Sequence, residues 1–262
     1  MARSRLFDPK NDDPFPLSRT GIDEFLRDPR TFVLKRKYGV KFPSIPPLTL
    51  AVATDYLLKN DFDRYREKQS SDHWIFKEYG LEVVPYAHSQ LEEWRNNFKG
   101  IRYLDTASNM EVFGAVDDIW QDINSKELFI VDYKSTSKKG DPNIETGWGW
   151  AYKRQMEVYQ WLFRKNNLPV SNKGYFLYVN GIKGDNCFYC DHEGYQNLGL
   201  MEFKTTLIQY TGNSDWVADT LLEIKDTLMR DELPPGNTNY DLNIYYYDRL
   251  KIEAEIEKKR NI

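Results

Sequence analysis

Two short runs constrain this chain more than anything else in it: Gly114-Ala-Val-Asp-Asp-Ile-Trp120 and Leu128-Phe-Ile-Val-Asp-Tyr-Lys134. The polar segment between them, Gln121 to Glu127 with Asn124 and Ser125 at its centre, reads as a turn joining two antiparallel strands. A fold about the bond between Asn124 and Ser125 pairs residues whose numbers sum to a constant, which sets Asp117 opposite Asp132. Directly opposed residues share a face with Cβ atoms roughly 5 Å apart, and alternation brings Lys134 to the same face as Asp132. Asp118 competes with Asp117 for that position, but alternation turns it to the other side. One face therefore carries two carboxylates and an ammonium.

Leu128 and Ile130 precede Asp132 and Lys134 on that face, while Phe129, Val131 and Tyr133 occupy the opposite one. Such a strand is apolar on both sides, and a charge emerging from it is costly unless it is paired or bound to a cation. Two like charges side by side also repel, and a divalent cation relieves both costs. Mg²⁺ and Mn²⁺ take oxygen ligands, usually one or two carboxylates with water and substrate phosphate. Lys134 would then stand beside the attacking water or the scissile phosphate, a site suited to phosphodiester hydrolysis. On spacing alone a solvated hairpin edge with a surface ion pair competes with this reading.

Three motifs in order alter that balance: Gly-x-x-Asp at Gly114 to Asp117, Asp-x-Lys at Asp132 to Lys134, and Gln-x-x-x-Tyr at Gln155 to Tyr159. Together they resemble the motifs of the PD-(D/E)XK nuclease superfamily, in its RecB-like branch, which includes exonuclease domains of recombination enzymes and CRISPR adaptation nucleases. The resemblance covers roughly residues 16 to 250. It implies an α/β fold with a restriction-endonuclease-like core, a mixed central β-sheet flanked by helices. It also implies a Mg²⁺- or Mn²⁺-dependent deoxyribonuclease, exonuclease-type, working in DNA repair, recombination or the processing of phage or mobile-element DNA. Asp117 and Asp132 would bind the metal, with the backbone carbonyl of Tyr133 as a further ligand, and Gln155 and Tyr159 would line the active site. RecB-like enzymes often take another ligand from an early helix; Asp55 is the acid nearest that position, and a helix-surface carboxylate is the competing reading.

Members of that branch with an iron-sulfur cluster carry a cysteine before a Pro-Arg pair and three more near the C-terminus. This chain has Asp28-Pro29-Arg30 and no cysteine from Asn237 to Tyr247, so no such cluster is expected. Cys187 and Cys190 have half-zinc-site spacing, yet with His73, His88 and His192 the only histidines they are read as ordinary strand cysteines.

Composition narrows the class without choosing the function. A net charge of -4 argues against a protein that coats nucleic acid through global positive charge. A nuclease escapes that objection if its basic residues gather at the groove. No apolar run approaches the length of a membrane span, the first residues show no secretory signal, and two cysteines suggest the cytoplasm.

The remaining segments read as scaffold with two exceptions. Residues 1 to 17 suggest a polar arm, 18 to 250 the nuclease domain, and 251 to 262 a charged helical tail. A helix capped by Ser18 carries Ile22, Phe25 and Leu26 on one face. The Pro-rich stretch 41 to 47 reads as a rigid connector. Thr49 to Lys68 then predicts an amphipathic helix through Leu50, Val52, Tyr56, Leu57 and Phe62. Ser89 to Asn97 predicts another, with Trp94 and Phe98 in the core, and the hairpin's first strand is expected from Glu111. The first exception is the loop after Lys134, where Lys138 and Lys139 are placed to grip phosphates. The second is Trp148, Trp150 and Tyr152, which interleave with Lys153 and Arg154 as in sites for single-stranded DNA, although Trp at a helix start is also common core material. Strands are expected at 174 to 180 and 198 to 210, and a helix at 215 to 229. Two rivals stand beside the nuclease: a non-catalytic nucleic-acid-binding relative and a protein-interaction module that keeps the fold.

Overall fold

In the computed structural model, which describes residues 5–43, 48–183, 199–237 and 239–260, the run Leu128–Thr136 is the middle strand of a five-stranded sheet. Along the chain come β1 (Phe15–Ser18), α1 (Arg19–Arg27), α2 (Pro29–Arg36), α3 (Thr49–Glu67) and α4 (Trp74–Glu78). Next are β2 (Val83–Pro85), α5 (Leu91–Trp94), β3 (Ile101–Asp105), β4 (Met110–Gly114), β5 (Asp118–Asp122) and β6 (Leu128–Thr136). The series ends with α6 (Gly149–Lys165), β7 (Val170–Gly181), β8 (Phe203–Thr211), α7 (Trp216–Met229) and α8 (Asp241–Arg260).

The chain divides into two compact units, one of residues Met1–Pro46, Arg102–Phe113 and Asp215–Ile262, the other of Pro47–Ile101 and Gly114–Ser214. The first holds a small sheet in the order β1-β4-β3, with β1 parallel to β4. Ser18 caps α1 by accepting from the Gly21 amide at 3.1 Å. Asp28, fully buried, caps α2 through the Thr31 amide at 2.8 Å and accepts from the Asn237 amide at 2.7 Å. Its oxygens satisfy amides that would otherwise be orphaned at a helix start. Ile22, Phe25 and Phe32 are buried in this unit, as are Leu221, Ile224 and Leu228 of α7.

The second unit is the five-stranded sheet β2-β5-β6-β7-β8 with its helices. β5 and β6 form the antiparallel hairpin, and α6 carries the chain over to β7, which pairs parallel with β6. β6 is apolar on both faces because both are covered. On one side Phe129, Val131 and Tyr133 pack with Phe62 of α3, Phe76 of α4 and Trp120. On the other, α6 comes so close that a Cβ on Gly174, which pairs with Ile130, would lie 2.5 Å from Met156 Sδ. The fold is mixed α/β, as expected.

Several local expectations change. The hairpin's first arm is two strands: β4 ends at Gly114 in the small sheet, and β5 begins at Asp118 in the large one. Phe15 to Leu17, read as arm, belong to β1 and bury Phe15 and Leu17, while the terminal helix starts at Asp241. α3 forms where predicted, but Leu50, Val52, Tyr56 and Leu57 are exposed and its buried residues are Thr54, Phe62 and Arg66. The helix after Ser89 shrinks to Leu91–Trp94; Trp94 is buried, but Phe98 is 87% exposed because the chain has left the helix. Residues 44 to 47 and the pair Cys187 and Cys190 with His192 lie outside the described residues. Among those described, no helix is long and apolar enough to cross a membrane.

Candidate active site

The hairpin register decides what faces what. β5 and β6 pair Asp118 with Val131, Ile119 with Ile130, Trp120 with Phe129 and Gln121 with Leu128, so that paired numbers keep one constant sum. Continued by one residue, that register sets Asp117 across from Asp132. The turn is fixed by Asp122, whose Oδ1 accepts from the Asn124 amide at 2.9 Å and the Ser125 amide at 2.8 Å. Lys126 then turns back through a left-handed backbone with φ of 65°.

Asp117 and Asp132 differ in surroundings. Asp132 is buried within β6; its Oδ1 accepts from Gln155 Nε2 at 2.8 Å, and the Lys134 ammonium lies against its Oδ2. That Oδ2 is buried and has no donor in hydrogen-bond alignment, the ammonium touching it off-axis. Asp117 lies just before β5, its side chain 27% exposed, and its Oδ2 accepts from the Tyr133 amide at 2.8 Å. Burial, followed by the facing Asp132, pushes the Asp117 carboxyl up to about 7, with Lys134 and Lys59 pulling the other way. Burial opposes the charge of Lys134, but Asp132 and Asp117 outweigh it and hold that ammonium above the ordinary lysine range. Lys134 is therefore a fixed cation at neutral pH.

The α6 residues close the site from the side. Gln155 donates to Asp132, accepts from Lys134 Nζ at 3.3 Å, and its Nε2 lies 3.3 Å from the Tyr159 hydroxyl. Gln155 and Tyr159 meet because residues four apart stack on one helix face. One turn earlier, the Tyr152 ring lies under the Lys134 ammonium at 4.4 Å, so one of its faces belongs to the site wall. The structure thus joins Asp132, Lys134, Gln155, Tyr159 and Tyr152 directly, with Asp117 alongside.

The other candidates are more dispersed. Asp55 on α3 is bonded to Lys59 at 2.8 Å, and Lys59 Nζ stands 4.0 Å from Asp117 Oδ1, so an ammonium separates the two acids. Trp150 is exposed with the Arg154 guanidinium 3.7 Å over its ring. Lys138 and Lys139 are exposed on a loop held by Asn180, whose Oδ1 accepts the Lys138 amide at 2.9 Å.

Asp118 has a role the sequence did not disclose beyond its turning away. It is fully buried on the opposite face, where its Oδ1 accepts from Arg66, from Arg95 at 2.8 Å and from the Ile119 amide, and its Oδ2 from the Tyr133 hydroxyl at 2.7 Å. Asp63 joins Arg66 and Arg95 from behind. Tyr133 therefore holds Asp117 by its amide and Asp118 by its phenol. Arg66 and Arg95 gave no signal in sequence because α3 and α5 reach this point only in three dimensions.

Two facing carboxylates that repel each other, as the raised Asp117 carboxyl reflects, fit a hard cation that fills its remaining positions with water and phosphate oxygen. Among the described residues no set of three His, Cys, Asp or Glu side chains gathers as a closed metal cage. The family model for the PD-(D/E)XK nuclease superfamily matches residues 35–206, a span holding every residue of this site. No curated protein matches the sequence at a significant level.

Proposed function

The chain belongs to the PD-(D/E)XK nuclease superfamily, and on that premise we propose that it is a Mg²⁺- or Mn²⁺-dependent deoxyribonuclease of the RecB-like branch, acting as an exonuclease on DNA that includes single strands. The observation that carries this reading is the cluster of Asp117, Asp132 and Lys134 on one face of the hairpin, braced by Gln155. Gln155 and Tyr159 at that cluster support the RecB-like branch, since Gln-x-x-x-Tyr is the motif by which the chain resembles it.

Asp117 and Asp132 would hold the ion, with the Tyr133 carbonyl as a third ligand; Asp55, bonded to Lys59, would join them only if that ammonium moved aside. When bound, the ion would supply Lewis acidity, polarising a phosphate oxygen and favouring attack by water. Lys134, kept protonated by the two carboxylates, is a charge stabiliser rather than a base. Its ammonium faces the negative charge that builds on phosphate oxygens during attack. Gln155 fixes both Asp132 and Lys134, so the cation and the ion-binding oxygen keep one geometry. Outside this centre, exposed Lys138 and Lys139 offer phosphate contacts, while exposed Trp150, with partly buried Tyr152 beside it, offers stacking surface to bases.

Incubation with end-labelled single-stranded and duplex DNA and Mn²⁺, beside Asp132→Ala and Lys134→Ala, tests the reading. Wild type should shorten the label from an end, and each variant should lose roughly a hundredfold or more of that rate. Equal degradation by all three proteins would remove the site assignment, and no degradation of either substrate would remove the activity.

A further inference from the structure

Lys59 is a second ammonium at the carboxylate pair, on the opposite flank from Lys134. It projects from α3 with Nζ 2.8 Å from Asp55 Oδ2 and 4.0 Å from Asp117 Oδ1, and its side chain is 20% exposed. α3 is held against the end of β6 where Thr54 Oγ1 meets Ser135 Oγ, so the helix cannot drift from the site without breaking that bond. Lys134 lies against Asp132, while Lys59 is bonded to Asp55 and stands at ion-pair distance from Asp117.

We propose that Lys59, anchored on Asp55 beside Asp117, is a phosphate-contacting residue whose charge opposes the divalent ion and faces the scissile phosphodiester once that ion is bound. The proposal rests on the nuclease reading above and adds a residue to it. Charge supplies the reason. Once Asp117 has given up its proton to an ion, Asp55, Asp117 and Asp132 carry three negative charges, and Lys59 and Lys134 two positive ones, so these side chains alone sum to minus one. A bound divalent ion makes the sum positive by one, which matches a single phosphodiester. Without Lys59 the loaded site would be neutral, with no surplus charge for the substrate. The competing view is a helix-surface pair at i and i+4, a contact that contributes only a few tenths of a kcal/mol and bears on neither ion nor substrate.

The two views separate on Lys59→Met and Lys59→Arg, read by Mn²⁺ titration calorimetry and by cleavage at saturating Mn²⁺. Removing the competing ammonium should tighten Mn²⁺ binding by about three- to tenfold, since like charges a few ångströms apart repel even when partly screened. The same Met variant should lose roughly ten- to a hundredfold in cleavage, and Lys59→Arg should recover most of it. A surface pair predicts neither change, and no loss of folding makes a metal site bind more tightly. Lys59→Met binding Mn²⁺ no better than wild type, or cleaving as fast, overturns the proposal and leaves the nuclease reading standing. A wild type that takes up no Mn²⁺ overturns both.

Discussion

Asp117 holds its proton more firmly than a solvated carboxylate because burial and the facing Asp132 both oppose its charge. An ion that binds there must displace that proton, so acidity competes with metal. The sign follows directly: below the raised value the site is protonated and binding weakens, and above it the carboxylate is free and affinity levels off. Mn²⁺ affinity should therefore rise with pH by up to about tenfold per unit toward neutrality, one proton being released per ion, and then flatten. Calorimetry in buffers of different ionisation heat would count the proton. An affinity that stays constant from about pH 5.5 to 8 would show that Asp117 is already ionised and that its burial has no bearing on the site. Lys134 does not share this behaviour, since the two acids hold its charge across the same range.

Between the hairpin and the helices behind it, stability and site geometry meet in Asp118. Burial opposes its charge, yet Arg66 and Arg95 outweigh that and keep it below the ordinary carboxylate range. A depressed folded value means stabilisation that is present at neutral pH and lost as pH falls through that value. Asp118→Ala should cost about 2–3 kcal/mol at neutral pH by removing the buried carboxylate between two guanidiniums, which keep Asp63 as the acid they still share. The deficit against wild type should narrow in acid, below the carboxylate range, as urea melts across pH would reveal. A deficit independent of pH would mean that lost packing, not charge, is what the variant removes. The sequence announced the hairpin but not this brace. Strand alternation and a turn centre give the Asp117 and Asp132 pairing, because a sheet repeats every two residues and a one-residue slip would invert every side chain. The α3 face departs from its pattern because periodicity reports which side of a helix is apolar, not whether another element covers it; Leu50, Val52, Tyr56 and Leu57 are exposed. Asp28 stands out in the sequence only as a residue that is not a cysteine, yet it is a buried cap joining α2 to Asn237. Such long-range partners leave no local pattern to read.

Taken as a whole, the molecule is acidic, with a net charge of -4, and this sets how it must meet a polyanion. Long-range attraction favours neither approach nor retention, so affinity has to come from cations concentrated where the phosphates lie. Lys138 and Lys139 sit exposed on the loop that leaves β6 directly after the site, and Asn180 restrains that loop from β7. Each phosphate that such a lysine neutralises releases condensed counterions, so binding should weaken linearly in log salt with a slope near -0.7 per contact on single strands. The double variant Lys138→Ala with Lys139→Ala should therefore flatten that slope by roughly 1 to 1.5. Fluorescence anisotropy with a labelled oligonucleotide and Ca²⁺ in place of the active ion would measure it without cleavage. Affinity should fall most at low salt and converge with wild type at high salt, because the lost contribution is ionic. A parallel drop at every salt concentration would instead mean that the loop supports stacking at Trp150 and Tyr152 rather than phosphate contact, and an unchanged slope would remove both lysines from the DNA path.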